Sequence, residues 1–166
     1  MSALAQPPSL KLEMRLKGIA GAVILALDIG PEPEACRRIA EISDAGGYDG
    51  QPLVRKASWV AVGGIAEEDR WKPISLRRAR HTTHTVGAIG WSWSKTPGDG
   101  RGAFYIMTEA ERGLDAAYGV VGQVTAGIGL LEALPVAPTA IRRGQVVTAP
   151  IVLESVRRQA VPVLAQ

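Results

Sequence analysis

The sequence predicts a mostly β chain: a closed antiparallel barrel of about eight strands, capped by two helices. Three observations carry that prediction. Residues 10–17, LKLEMRLK, alternate strictly between apolar and charged side chains, which is the two-residue period of a half-buried strand. The other apolar stretches are short and are punctuated by 19 Gly and 11 Pro, which mark turns. Sizeable helices are expected in only two segments, near 33–43 and 128–134.

In chain order, Leu10, Leu12, Met14 and Leu16 face one way, and Lys11, Glu13, Arg15 and Lys17 the other. Gly18 to Gly21 turn the chain into AVILALDI, a more buried strand, so the two form a β-hairpin. GPEPEACRRIAEISDAGG follows as a helix with its punctuation. Pro31 or Pro33 opens it, where a missing N–H costs nothing. Glu32 and Glu34 suit the positive end of its dipole. Ala35, Ile39 and Ile42 make its buried stripe, with Cys36 beside them as a small core residue, and Gly46 with Gly47 stops it. Two short strands are expected at about 51–57 and 59–65, then a polar, basic loop over 66–86. GAIGWSWS (87–94) and GAFYIMT (102–108) read as strands flanking the turn KTPGDGRG, and YGVVGQVTAG (118–127) as another. IGLLEALP is a short helix with Leu130, Leu131 and Leu134 inward, and TAPIVLESVRR (148–158) is the last strand.

A chain of 166 residues suits one domain with a real core. Residues 1–9 and 159–166 read as a flexible N-terminus and a tail around it. The net charge of +3, mostly from Arg, is too mild to argue for nucleic acid. The single cysteine excludes an internal disulfide and a Cys-rich zinc site. No apolar run reaches the length of a membrane span. The ALA before Gln6 resembles a signal-peptidase site, yet no hydrophobic region precedes it, so the compartment stays open between cytoplasm and periplasm or secretion.

Several short motifs do not develop into sites. GWSWS misses the third glycine and the strand–turn–helix context of a nucleophile elbow. His81 and His84 form an H-x-x-H pair that no Cys or third His completes, so they read as solvated loop residues. GDGRG has the wrong spacing for a dinucleotide loop. Arg70, Lys72, Arg77, Arg78 and Arg80 read as a solvated basic loop.

The order of hairpin, helix and motifs resembles one family, the cyclophilin-type peptidyl-prolyl cis-trans isomerases. Members carry YYDGTIFHRVIPGFMIQGG where this chain has YDGQPLVRKASWVAVGG, and GSQFFIT where it has GAFYIMT. They carry LDGKHVVFGKVVEGMDVV where it has LDAAYGVVGQVTAGIGLL. The resemblance spans roughly residues 10–158. It implies an eight-stranded antiparallel barrel with a helix at each end, in agreement with the strand count above, and a substrate groove on the barrel's outside.

By that resemblance Arg55 falls on the family's catalytic arginine. Val60 and Ala61 replace an aromatic and a Met at the proline pocket, and Gly63 replaces the glutamine that steadies the arginine. Ser92 and Trp93 stand where an Ala-Asn pair holds the peptide backbone, and Ala103 stands where a second glutamine does. Tyr105 takes the place of the pocket phenylalanine and Tyr118 that of the pocket histidine. Gly113 replaces a common tryptophan, while Leu114 keeps its leucine. The implied chemistry needs no cofactor or metal. An X–Pro amide twists through a barrier of about 18–20 kcal/mol, and its nitrogen becomes a hydrogen-bond acceptor only in the twisted state. A fixed guanidinium that donates to it stabilises that state alone.

Two functions follow. The first is a weakened prolyl isomerase, with Arg55 as electrophile and Val60, Tyr105, Leu114 and Tyr118 around the pocket. Arg55, Tyr105 and Tyr118 are then expected to converge on one exposed concavity. The second is a cyclophilin scaffold without isomerase activity, binding a partner or serving small-molecule chemistry, with Trp91, Trp93, Tyr105 and Tyr118 lining an aromatic cleft. Strand packing competes as the role of Trp91 and Trp93. The retained Arg55 favours the first function and the lost polar groups favour the second; the first is placed narrowly ahead. Expected partners are proline-containing peptides or a small molecule, with the chain a monomer.

Overall fold

The computed structural model describes residues 9–28, 32–76, 83–94, 96, 99–136, 141–142, 145–146 and 151–159. The chain begins with β1 (Ser9–Leu16), β2 (Val23–Asp28) and α1 (Pro33–Asp44), then β3 (Pro52–Arg55) and β4 (Trp59–Val62). A 3-10 turn at Glu68–Arg70 leads to β5 (Ile74–Ser75), β6 (Ala88–Trp91), β7 (Asp99–Gly100) and β8 (Phe104–Met107). A second such turn, Arg112–Leu114, precedes β9 (Val120–Ala126), α2 (Ile128–Glu132), β10 (Ile141–Arg142), β11 (Gln145–Val146) and β12 (Ile151–Arg158).

Eight of these strands close into a barrel in the order β1-β12-β3-β4-β8-β6-β9-β2, every neighbour antiparallel. Closure leaves the barrel itself without a free sheet edge. The β1–β2 hairpin follows from the alternation in LKLEMRLK: Leu12, Met14 and Leu16 are buried inside, while the charged residues between them stay outside or part-exposed. Val23, Leu25 and Leu27 meet them from β2, and Ile89, Trp91, Phe104, Ile106, Leu153 and Val156 complete the interior.

Helix α1 starts on Pro33, as a residue without an N–H can, and lays Ala35, Ile39 and Ile42 into that same core. Gly46 follows at φ +72°, a left-handed conformation that glycine reaches without a Cβ clash. Helix α2 is shorter; it buries Leu131 while Leu130 packs at the margin, and Leu134, just past its end, is buried too. Within the loop expected over 66–86, the described part carries the turn at Glu68–Arg70 and strand β5, which pairs with β7. Trp91 is fully buried, its indole N–H directed at the Ile74 carbonyl at 3.4 Å, so it packs the core. Residues 1–8 and 160–166, Arg77, Arg78, Arg80 and His81, and the start of the last strand at 148–150 lie outside the described residues. Among the described residues, no helix is long and apolar enough to cross a membrane.

Cys36 is fully buried, with its thiol 3.5 Å from the Val121 carbonyl. Burial first, then the charges of Asp28 and Glu32, push the thiol up to about 12. The nucleophile in disulfide exchange is the thiolate, which is scarce at that value. An aromatic disulfide reagent at pH 8 is therefore expected to leave the native protein unlabelled and to label one thiol once urea unfolds it. Rapid labelling of the native state would show that α1 opens locally.

Candidate functional site

A strand in a closed barrel offers each residue one of two faces, inside or outside. The register assigns them. Arg55 stands opposite Val60, and Val60 opposite Ile106. Leu53, Val60, Val62, Ile106, Ile89 and Trp91 all belong to the interior core. Tyr105 stands opposite Ala61 on one side and Gly90 on the other. It belongs to a second, smaller cluster on the barrel's outside with Ala88 and Met107, packed by Trp59, Ala61, Leu114, Tyr118 and Val120.

That outer cluster opens into a cavity of about 230 Å³ lined by Trp59, Ala61, Ser92, Trp93, Tyr105, Leu114 and Tyr118. Four separate pieces of chain build it. Strand β4 presents Trp59 and Ala61, which are two apart and so share a face. Residues just past β6 supply Ser92 and Trp93, β8 supplies Tyr105, and the 112–118 segment supplies Leu114 and Tyr118. The aromatic rings set its shape. Trp93 stacks on Tyr118 with centroids 4.3 Å apart and planes at 20°, and Tyr118 meets Tyr105 edge to face at 5.8 Å and 88°. A Cβ built on Gly90 would overlap the Tyr105 ring, so the ring lies flat where only a glycine lets it.

The cavity gathers Ala61, Ser92, Trp93, Tyr105, Leu114 and Tyr118 from the residues expected at the site. It leaves out Arg55, Val60, Gly63 and Ala103. Val60, expected at the pocket, is 2% exposed and belongs to the inner core. Gly63 lies past the end of β4, its N–H held by the Pro52 carbonyl at 2.7 Å. The Ala103 carbonyl accepts the Ser92 N–H at 3.1 Å, a backbone bond that sets the strand geometry next to the cavity.

Arg55, expected to converge with Tyr105 and Tyr118, does not line this cavity; it ends β3 opposite Val60, on the other face of the register from Tyr105. Its Nη1 donates to the Leu131 carbonyl and its Nε to the Lys56 carbonyl at 3.0 Å. Leu131 lies in the last turn of α2, at the negative end of the dipole, and its carbonyl also accepts the Leu134 N–H at 3.2 Å. A charged donor belongs at such a place, and Arg55 fills it.

Two residues outside the expected site also reach it. His84, taken for a solvated loop histidine, is fully buried. Its Nε2 is 2.7 Å from the Tyr105 hydroxyl, and its Nδ1 is 2.8 Å from Asp115 Oδ1. The same carboxylate oxygen accepts the His84 backbone N–H at 2.7 Å. Hydrogen bonds from the His84 ring and backbone hold the Asp115 carboxyl below the usual carboxylate range. Trp59 was also missed, although its two-residue offset from Ala61 puts it on the same face.

The family model for the cyclophilin type peptidyl-prolyl cis-trans isomerases matches residues 11–158. Solved structures agree on the fold. A cyclophilin type peptidyl-prolyl cis-trans isomerase from Cryptosporidium parvum superposes with a TM-score of 0.76 at 14% identity, covering 93% of this chain and 100% of that one. The same Cryptosporidium protein in the presence of the dipeptide Ala-Pro gives 0.73 at 15% identity, over 90% and 99% of the two chains. The cyclophilin AquaCyp293 from Hirschia baltica gives 0.66 at 15%, over 90% and 75%. No curated protein sequence matches the chain closely enough to count as a relative. The chain belongs to the cyclophilin-type peptidyl-prolyl cis-trans isomerase family.

If Arg55 serves α2, its removal changes stability. Arg55→Met keeps most of the buried stem and leaves the Leu131 carbonyl without its charged donor. Urea unfolding is expected to show a loss of about 1.5–3 kcal/mol, the range for hydrogen bonds to charged groups. An unchanged midpoint would remove the helix-capping role.

Proposed function

We propose that this cyclophilin binds proline-containing segments in its aromatic outer groove and does not use Arg55 to isomerise them. The observation that carries this reading is the split of faces: Tyr105 lines the groove while Arg55 reaches the Leu131 carbonyl on the other side of the sheet. The relative from Cryptosporidium parvum studied with Ala-Pro supports a prolyl ligand for a groove of this fold. A prolyl ring is compact, apolar and already restricted in φ, so it suits a small cavity walled by Trp59, Trp93, Tyr105 and Tyr118. Burying one such ring contributes about 1.5–3 kcal/mol, which places a short peptide at millimolar affinity or weaker.

Binding of that kind acts on the planar and the twisted amide alike. Interactions equal in both states leave the barrier where it was. Acceleration needs a donor that meets the prolyl nitrogen only after it loses resonance. Among the described residues, the groove is lined by a serine, two indoles and two phenols together with Ala61 and Leu114. For Arg55 to serve as donor, its side chain must leave Leu131 and pass to the other face of the sheet. The weakened-isomerase reading with Arg55 as electrophile therefore ranks second, supported by the position of Arg55 in the family's sequence pattern.

A coupled isomerisation assay on short X–Pro peptides separates the two. The rate is expected to fall about a hundredfold to a thousandfold below that of a cyclophilin with a charged donor in its groove. Arg55→Met is expected to leave whatever rate remains unchanged, while Trp93→Ala weakens peptide binding. Robust turnover in the wild type that Arg55→Met abolishes would reverse the ranking.

A further inference from the structure

The hydroxyl of Tyr105 is tied into a buried chain that ends at a half-exposed carboxylate. A carboxylate only accepts, so His84 Nδ1 carries a proton toward Asp115 Oδ1 at 2.8 Å. Nε2 is then left to accept the Tyr105 O–H at 2.7 Å. Burial foremost, with Tyr118 and Asp115 adding to it, keeps the Tyr105 phenol protonated well above its ordinary range. The phenol therefore remains a donor. The imidazole and phenol rings lie parallel within 9°, centroids 5.8 Å apart.

The anchor of this chain is the segment that also builds the groove. Asp115 follows the turn that supplies Leu114, and the Glu111 N–H donates to the His84 carbonyl at 2.9 Å. Arg112, exposed, stands 3.8 Å from the other carboxylate oxygen. The groove wall and its support are thus one hydrogen-bonded unit running Asp115, His84, Tyr105. Because its hydroxyl is committed to His84, Tyr105 offers the groove its ring.

We infer that His84 and Asp115 are positioning residues that fix the Tyr105 ring as a rigid apolar wall for a prolyl ring. This rests on the reading that the groove takes proline-containing segments. Removing one partner of a buried hydrogen bond strands the other, whereas replacing both by apolar groups is close to neutral. Preorganised side chains also spare a ligand the cost of ordering them.

The test combines nitrogen and aromatic NMR on the free protein with titration by an N-acetylated Ala-Pro amide. Wild type is expected to show a His84 ring protonated at Nδ1 and bare at Nε2, and a Tyr105 ring that flips slowly. In Asp115→Asn and in His84→Leu, the Tyr105 ring is expected to flip fast and affinity to fall about threefold to tenfold. Tyr105→Phe with His84→Leu strands no polar group, so it is expected to recover stability but neither the fixed ring nor the affinity. If His84→Leu does not fold, Asp115→Asn, altered on the half-exposed side, reads the same effect. A Tyr105 ring and an affinity unchanged in the single variants would overturn the inference. A wild type that ignores the peptide, with a Tyr105 ring that still loosens in the variants, would sink the ligand reading while upholding the positioning role.

Discussion

The pleat of a closed sheet is the constraint on which the rest of this protein depends. Each strand residue must face the barrel interior or the outside, and a neighbour on the next strand faces with it. Leu53, Arg55, Val60 and Ile106 therefore share one environment, and Val54, Ala61, Tyr105 and Gly90 share the other. The inside is an apolar core in which a charge survives only with a partner such as the end of α2. The outside holds a shallow aromatic groove. What each side chain does was decided when its face was decided.

Much of the fold was legible because it rests on the same alternation. LKLEMRLK announces β1 by itself, and the Pro-led, Gly-ended run at 31–47 announces α1 through rules that need no tertiary contact. The site was harder to read. The motif fixes the position of Arg55 by its letters, and letters alone do not fix which face of the pleat it takes. The pleat was visible all the same: Leu53 is two residues before Arg55, and a leucine two positions away argues for a shared inward face. The same offset from Ala61 would have found Trp59. His84 had no such signal. Its neighbours are polar, and only the approach of Asp115, 31 positions away, and of Tyr105, 21 away, makes its burial tolerable.

Tyr105 connects these themes. Its ring occupies space that Gly90 leaves open on the neighbouring strand, and its hydroxyl satisfies a histidine that would otherwise be stranded. Tyr118 and Trp93 then continue the aromatic surface outward. A phenylalanine fills the same volume without the link to His84 and Asp115. The groove thus presents mainly aromatic and apolar surface, and the Tyr105 hydroxyl is turned to His84.

The central claim is that ligand meets the face of Tyr105 and not that of Arg55. Amide and side-chain resonance mapping during titration with an acetylated Ala-Pro amide tests it most directly. The account expects shifts at Trp59, Ala61, Ser92, Trp93, Leu114 and Tyr118, with the Arg55 Nε resonance unmoved. A large shift at Arg55 Nε, with Leu131 moving alongside it, would mean that the guanidinium leaves α2 to meet the ligand. That result would contradict the account.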